Sequence, residues 1–215
     1  MAHASSADSR SHSARIDQLL HAARAAGGDA LGQLLQVYRN YLTILATTQL
    51  DRRLQRRVSP SDLVQEAMLA AHRDFQQFRG QSEREFIAWL RQILIHCWHH
   101  AIEQHVRSRK RDVRCEVAIE RVNSALDQSA LALAEIAIDP GPSPSAALAR
   151  RENAVAIADL LARLKPEYRD VIVLRNLQGL SFDEIAERLG RQSGAVRMLW
   201  LRAIDKFKQV CETPS

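Results

Sequence analysis

The stretch LSFDEIAERLGRQSGAVRMLW, Leu180 to Trp200, sets arginine beside apolar side chains at helical spacing. That pairing is a means of reading nucleic acid. At about 100° per residue, Val196, Leu199, Trp200, Ala203 and Phe207 share one side, expected to be buried, while Gly194, Arg197, Met198, Leu201, Arg202 and Asp205 share the other. A guanidinium is a planar fork that fits the O6/N7 edge of guanine or a phosphate, and apolar atoms fit the thymine methyl. Something must hold that helix in place. Ser181 and Glu184 form an S-x-x-E capping box ahead of Ile185, Ala186 and Leu189, Gly190 is placed to end their helix in a left-handed conformation, and Ser193 is expected to cap the next. Helix, short glycine turn, helix is the helix-turn-helix signature.

A second set of functional side chains lies between Ser59 and Arg111. Asp62, Gln65 and Glu66 fall at a helix start, where carboxylates suit the dipole. FQQFRGQSE, Phe75 to Glu83, breaks a helix at Gly80 and displays Arg79, Gly80, Gln81 and Ser82 in a short loop. Cationic and polar groups beside aromatic rings suit an unstacked base, which is gripped by stacking and by bonds to its edge; Phe75 and Phe78 themselves read as core. In the following helix Phe86, Trp89, Leu90, Ile93, Leu94, Cys97 and Ala101 make the core face, and Arg91, Gln92, His99 and Glu103 flank it. It runs into Arg107, Arg109, Lys110 and Arg111, a positive cluster suited to duplex phosphates. Phosphate contacts position without specifying, so this cluster is expected to grip rather than read.

HCWHHAIEQH raises a metal or redox site as a competing chemistry. His96 and His100 share a helix side, but Cys97 points to the apolar face, His99 is rotated away and His105 lies on the far flank, so one helix cannot gather them around an ion. No metal and no cofactor is expected. A Gly-rich phosphate loop, paired inward carboxylates and a Ser/His/Asp constellation are all missing, so the chain does not read as an enzyme.

The elements that position these groups are helical throughout. Ala, Leu, Arg, Glu and Gln dominate from Ile16 onward, without the alternation of strands. Gly27-Gly28, Ser59-Pro60 and Arg79-Gly80 punctuate the helices, Pro166 fits a first turn, and DPGPSPS, Asp139 to Ser145, cannot be crossed by one. The expected fold is all-α: a disordered tail at 1–15, a helical domain at 16–115, a flexible linker at 116–144, and a helix-turn-helix domain at 145–212. At 46% apolar and 26% charged residues the chain is globular, and its net charge of +5, from 30 Lys and Arg against 25 Asp and Glu, favours an anionic partner. Cys97, Cys115 and Cys211 are scattered, no signal peptide opens the chain, and no run nears the roughly 18 apolar residues of a membrane helix. A reduced, cytoplasmic protein without membrane insertion is expected.

LQGLSFDEIAERLGRQSGAVRMLWLRAIDKF resembles the fourth domain of bacterial sigma factors of the extracytoplasmic-function (ECF) group, with departures at Met198-Leu199, where Ser-Arg is usual, and at Ile204, where a basic residue is usual. The segment from Ser59 to Arg111 resembles the second domain, where D-L-V-Q-E begins a helix, F-x-x-F-R-G ends it and F-x-x-W-L follows. The resemblance implies a −35 element contacted by Arg191, Gln192, Ser193, Arg197, Met198, Leu201 and Arg202. For the −10 element it implies base capture by Arg79, Gly80, Gln81 and Ser82, with Arg91, Gln92, His99, Arg107, Arg109, Lys110 and Arg111 along the adjoining helix. Asp62, Gln65 and Glu66 would dock on the clamp helices of the RNA polymerase core. Promoter DNA and core polymerase are the implied partners, and an anti-sigma factor stays open as another. The rival is a stand-alone helix-turn-helix repressor or activator, which would bind operator DNA without polymerase.

Overall fold

The computed structural model describes residues 3–26, 28–49, 59–106, 128 and 154–212. The described residues are helical and carry no strand. They divide into two compact units, residues 1–46 with 50–123 and residues 124–215 with 47–49. The stretch expected to be a linker, 116–144, lies outside the described residues except for Gln128, and so do Arg107, Arg109, Lys110 and Arg111.

In the first unit, α1 spans His3–Ala26 and α2 spans Gly28–Gln49. The backbone of residues 3–15, expected to be disordered, is therefore helical here; alanine and arginine are good helix formers, and nothing in that stretch breaks a helix. Gly28 opens α2 at φ +49, a conformation that favours glycine. Helix α3, Pro60–Asp74, begins on Ser59, whose Oγ accepts from the Ser61 N–H at 3.2 Å, with Pro60 in the first turn where its missing N–H costs nothing. A short 3-10 turn, Phe75–Gln77, leads through a loop to α4, Glu83–Val106. Ile16 and Leu20 of α1, Leu34 and Leu42 of α2, Leu63 of α3, and Leu90 and Leu94 of α4 are all nearly or fully buried. Tyr38 and Glu83 add a polar pair to this core: the phenol donates to Glu83 Oε1 at 3.0 Å. Burial and the nearby carboxylate push the Tyr38 phenol well above its usual range, which keeps it protonated and donating.

The second unit contains α5 (residues 154–162), α6 (Pro166–Ile172), α7 (Phe182–Leu189) and α8 (Ser193–Glu212). Helix α6 runs into a π turn, Val173–Leu177, closed by the Gln178 N–H on the Val173 carbonyl at 3.0 Å. Val155, Ala158, Leu161, Val171, Ile172, Ile185, Val196 and Ala203 are fully buried and form its centre.

Candidate nucleic-acid interface

Both ends of α7 follow the sequence pattern. Ser181 Oγ accepts from the Glu184 N–H at 3.2 Å, and Glu184 Oε2 accepts from the Ser181 N–H at 2.7 Å. These bonds hold the Glu184 carboxyl below the usual carboxylate range. Gly190 stands at φ +64, and the Arg191 N–H closes the helix on the Ala186 carbonyl at 2.9 Å. Helix α8 begins differently from expectation. The Val196 N–H donates to the Gln192 carbonyl at 3.0 Å, so the chain turns helical one residue early and Ser193 stands in the first turn rather than at the cap.

The two sides of α8 are those the periodicity dictates. Val196, Leu199, Ala203 and Phe207 are buried, and Trp200 is half-buried. Gly194, Arg197, Met198, Leu201, Arg202 and Asp205 are exposed, Met198 and Leu201 at 50% and 45%, which is high for side chains that gain by burial. Arg197 is not loose: its guanidinium carbon sits 5.2 Å from the Phe182 ring centroid. Arg191 is half-exposed with its amine 3.4 Å from Glu167 Oε2, and Gln192 is exposed. The seven residues expected at the −35 element thus lie along the α7–α8 turn and the open side of α8.

The loop before α4 is tighter than its sequence conveys. Phe75 and Phe78 are buried, as expected, in a cluster with Phe86 and Trp89, the Phe78 and Trp89 ring centroids being 5.1 Å apart. A Cβ on Gly80 would stand 2.5 Å from Phe78 Cζ and 2.7 Å from Glu85 Cβ, so only glycine lets the chain pass over that ring. Beyond it, Glu85 Oε2 accepts from the Gln81 N–H (2.8 Å), the Ser82 N–H (3.1 Å) and Ser82 Oγ (2.8 Å). These bonds hold the Glu85 carboxyl below the usual range. Ser82 is therefore a helix cap, and the side chains the loop offers outward are Arg79 and Gln81, both exposed. Gln92 is exposed and Arg91 half-buried on α4. His99 is turned inward, its Nε2 shut off from solvent and its ring edge-on to Trp98 at 6.1 Å, which removes that nitrogen from any contact with DNA.

Asp62, Gln65 and Glu66 are exposed on α3, opposite the buried Leu63, Val64, Ala67 and Ala71. Leu69 joins them at 65% exposed. Its spacing, seven residues after Asp62 and three after Glu66, puts it on the same side of the helix, a signal present in the sequence but easily taken for core. Among the described residues no three His, Cys, Asp or Glu side chains are grouped to hold a metal ion. Cys97 is buried, and burial pushes its thiol up to about 11, so it carries almost no thiolate at neutral pH. None of the helices among the described residues is long and apolar enough to cross a membrane.

The geometry agrees with the comparisons with known proteins. Residues 37–111 match the family model of sigma-70 region 2, and residues 154–207 match that of sigma-70 region 4. The ECF RNA polymerase sigma-E factor of Escherichia coli is 33% identical over 143 residues, covering 66% of this chain and 68% of the relative. The RNA polymerase sigma-H factor of Pseudomonas aeruginosa is 30% identical over 152 residues, covering 69% of this chain and 72% of the relative. The ECF RNA polymerase sigma factor BldN of Streptomyces coelicolor is 30% identical over 194 residues, or 90% of this chain, which spans 65% of that relative's length.

Proposed function

The chain belongs to the ECF sigma factors of RNA polymerase, and on that premise we propose that it directs core polymerase to specific promoters and assists strand opening there. One observation carries this reading: a region 2 match and a region 4 match stand in order on one chain, each on a compact helical unit with exposed polar side chains at the expected positions. The region 4 unit binds the −35 element through the open side of α8, Arg197 and Arg202 supplying forks for guanine or phosphate and Met198 and Leu201 apolar contact for thymine. Arg191, Gln192 and Ser193 support it at the α7–α8 turn. The region 2 unit holds the unpaired −10 strand at Arg79, Gly80 and Gln81, with Arg91 and Gln92 beside it and Arg107, Arg109, Lys110 and Arg111 gripping phosphates. Asp62, Gln65 and Glu66 dock on the clamp helices of the core enzyme, with Leu69 as their apolar neighbour.

The protein catalyses nothing in this scheme. Melting is driven by binding: contacts to the unpaired strand offset an unstacking cost of a few kcal/mol per step. The site of action is the cytoplasm, with polymerase, and restraint by an anti-sigma factor is compatible with it. The decisive experiment adds the full chain to sigma-free core polymerase and genomic DNA of the source cell. Specific opening and transcription should appear with both components, and the joint replacement Asp62→Ala, Gln65→Ala, Glu66→Ala should abolish capture of core polymerase. Tight, palindrome-dependent binding by the chain as a dimer, with no transcription when core is supplied, would establish a stand-alone repressor or activator instead.

A further inference from the structure

Phe182 opens α7, and its ring is held from several directions. Its backbone is fixed by the Ser181 and Glu184 capping bonds on either side. Trp200 meets the ring edge-on at 5.8 Å, and its indole N–H is itself anchored on Asn176 Oδ1 at 3.0 Å. The Arg175 guanidinium carbon lies 4.7 Å from the ring centroid, and an Arg175 amine donates to the Leu180 carbonyl at 2.8 Å. Against this fixed ring rests the exposed Arg197, its guanidinium carbon 5.2 Å from the centroid. No aromatic ring lies under Arg202 among the described residues.

A guanidinium stacked on a ring uses its face, whereas its N–H donors lie in its plane and point outward. Stacking therefore restrains Arg197 without consuming the donors that a base edge requires. An exposed arginine without such a seat samples many rotamers and must be ordered when it binds. We infer that Phe182 is a specificity-determining positioning residue, whose ring holds the Arg197 fork ready for the base edge and makes Arg197 the sharper reader of the two arginines on α8. This rests on the reading that α8 contacts promoter duplex.

The test uses the full chain with core RNA polymerase and a pool of promoter duplexes randomised across the upstream element, sequenced before and after selection. Arg197→Ala should flatten preference at one or two positions by on the order of tenfold. Phe182→Leu should flatten the same positions by about three- to tenfold, the range expected for losing a cation–π seat, and leave the remaining positions unchanged. Phe182→Tyr, which keeps the ring, should retain the wild-type preference. In an Arg197→Ala background, Phe182→Leu should add nothing. Three results would overturn the inference: wild-type preference in Phe182→Leu, equal flattening at every position, or an undiminished effect of Phe182→Leu without Arg197. If Phe182→Leu unfolds the domain, as thermal melting would reveal, Phe182→Met serves in its place with the same expectations. Loss in Arg197→Ala without loss in the Phe182 variants sinks this inference alone. Unchanged preference in Arg197→Ala sinks the assignment of Arg197 as a reader, and this inference with it.

Discussion

Two helices in this molecule start from the same four-residue device, Ser82 to Glu85 at α4 and Ser181 to Glu184 at α7, yet the chain reaches the two boxes by opposite means. Ahead of α4 the backbone is pressed onto the Phe78 ring, and Gly80 is needed because any Cβ would meet that ring and Glu85 within 2.7 Å. Ahead of α7 there is open space around Gly179, which is needed because its φ is +67. The first glycine answers to its neighbours, the second to its own dihedral. Glu85 also gathers three bonds at one oxygen, where Glu184 closes the simple reciprocal pair. The same local code is thus embedded once in tertiary packing and once in chain conformation alone.

Removing the packing gives the largest expected effect. Phe86 is fully buried and touches Phe75, Phe78 and Trp89 through edge or tilted contacts, so Phe86→Ala should cost about 3–5 kcal/mol in denaturant unfolding. A loss well below that would mean the cluster collapses around the gap and does not fix the loop. Next come the glycines. Gly80→Ala should cost about 1–3 kcal/mol by overpacking, and Gly179→Ala about 1–2 kcal/mol by left-handed strain. The mechanisms separate in a Phe78→Leu background, where the Gly80→Ala cost should shrink, while no neighbouring substitution should relieve Gly179→Ala. Equal behaviour of the two glycines would erase the distinction.

The smallest effects are the caps. Ser82→Ala and Ser181→Ala should each cost about 1 kcal/mol. Their acid dependence follows from the carboxylates. Both Glu85 and Glu184 have folded values below the ordinary range, so their contribution is present above that range and is lost as pH falls through the lowered values. In acid titrations followed by helix content, the serine variants and wild type should therefore converge at low pH.

What could be read from sequence was whatever depends on near neighbours. Pro166 in a first turn, the Ser181 and Glu184 box, Gly190 at a left-handed position and the two sides of α8 all follow from spacing, because helical geometry relates each residue to those three and four away. What could not be read depends on approach between distant segments. Nothing local to Gly80 announces the Phe78 ring above it, and nothing in Arg197 announces Phe182, fifteen residues earlier in the chain. His99 counted as an outward residue by angle, yet Trp98 draws its ring inward. The shift of α8's start by one residue has a similar origin: Ser193 is a good cap by type, but the closure of α7 on Arg191 leaves Gln192 to supply the first carbonyl.

The π turn that ends α6 has a consequence for how this unit can change. Five residues, Val173–Leu177, are wound where an ordinary helix would close after four, and Asn176 and Arg175, which brace Trp200 and Phe182, lie within it. Deleting any one of them would restore regular winding and swing the preceding helix by about 100° relative to the bracing residues. Replacing one changes a single contact. At this point the domain is tuned by chain length, so an insertion or deletion here acts as a rotation of one helix against the rest, an alteration that no exchange of side chains can imitate.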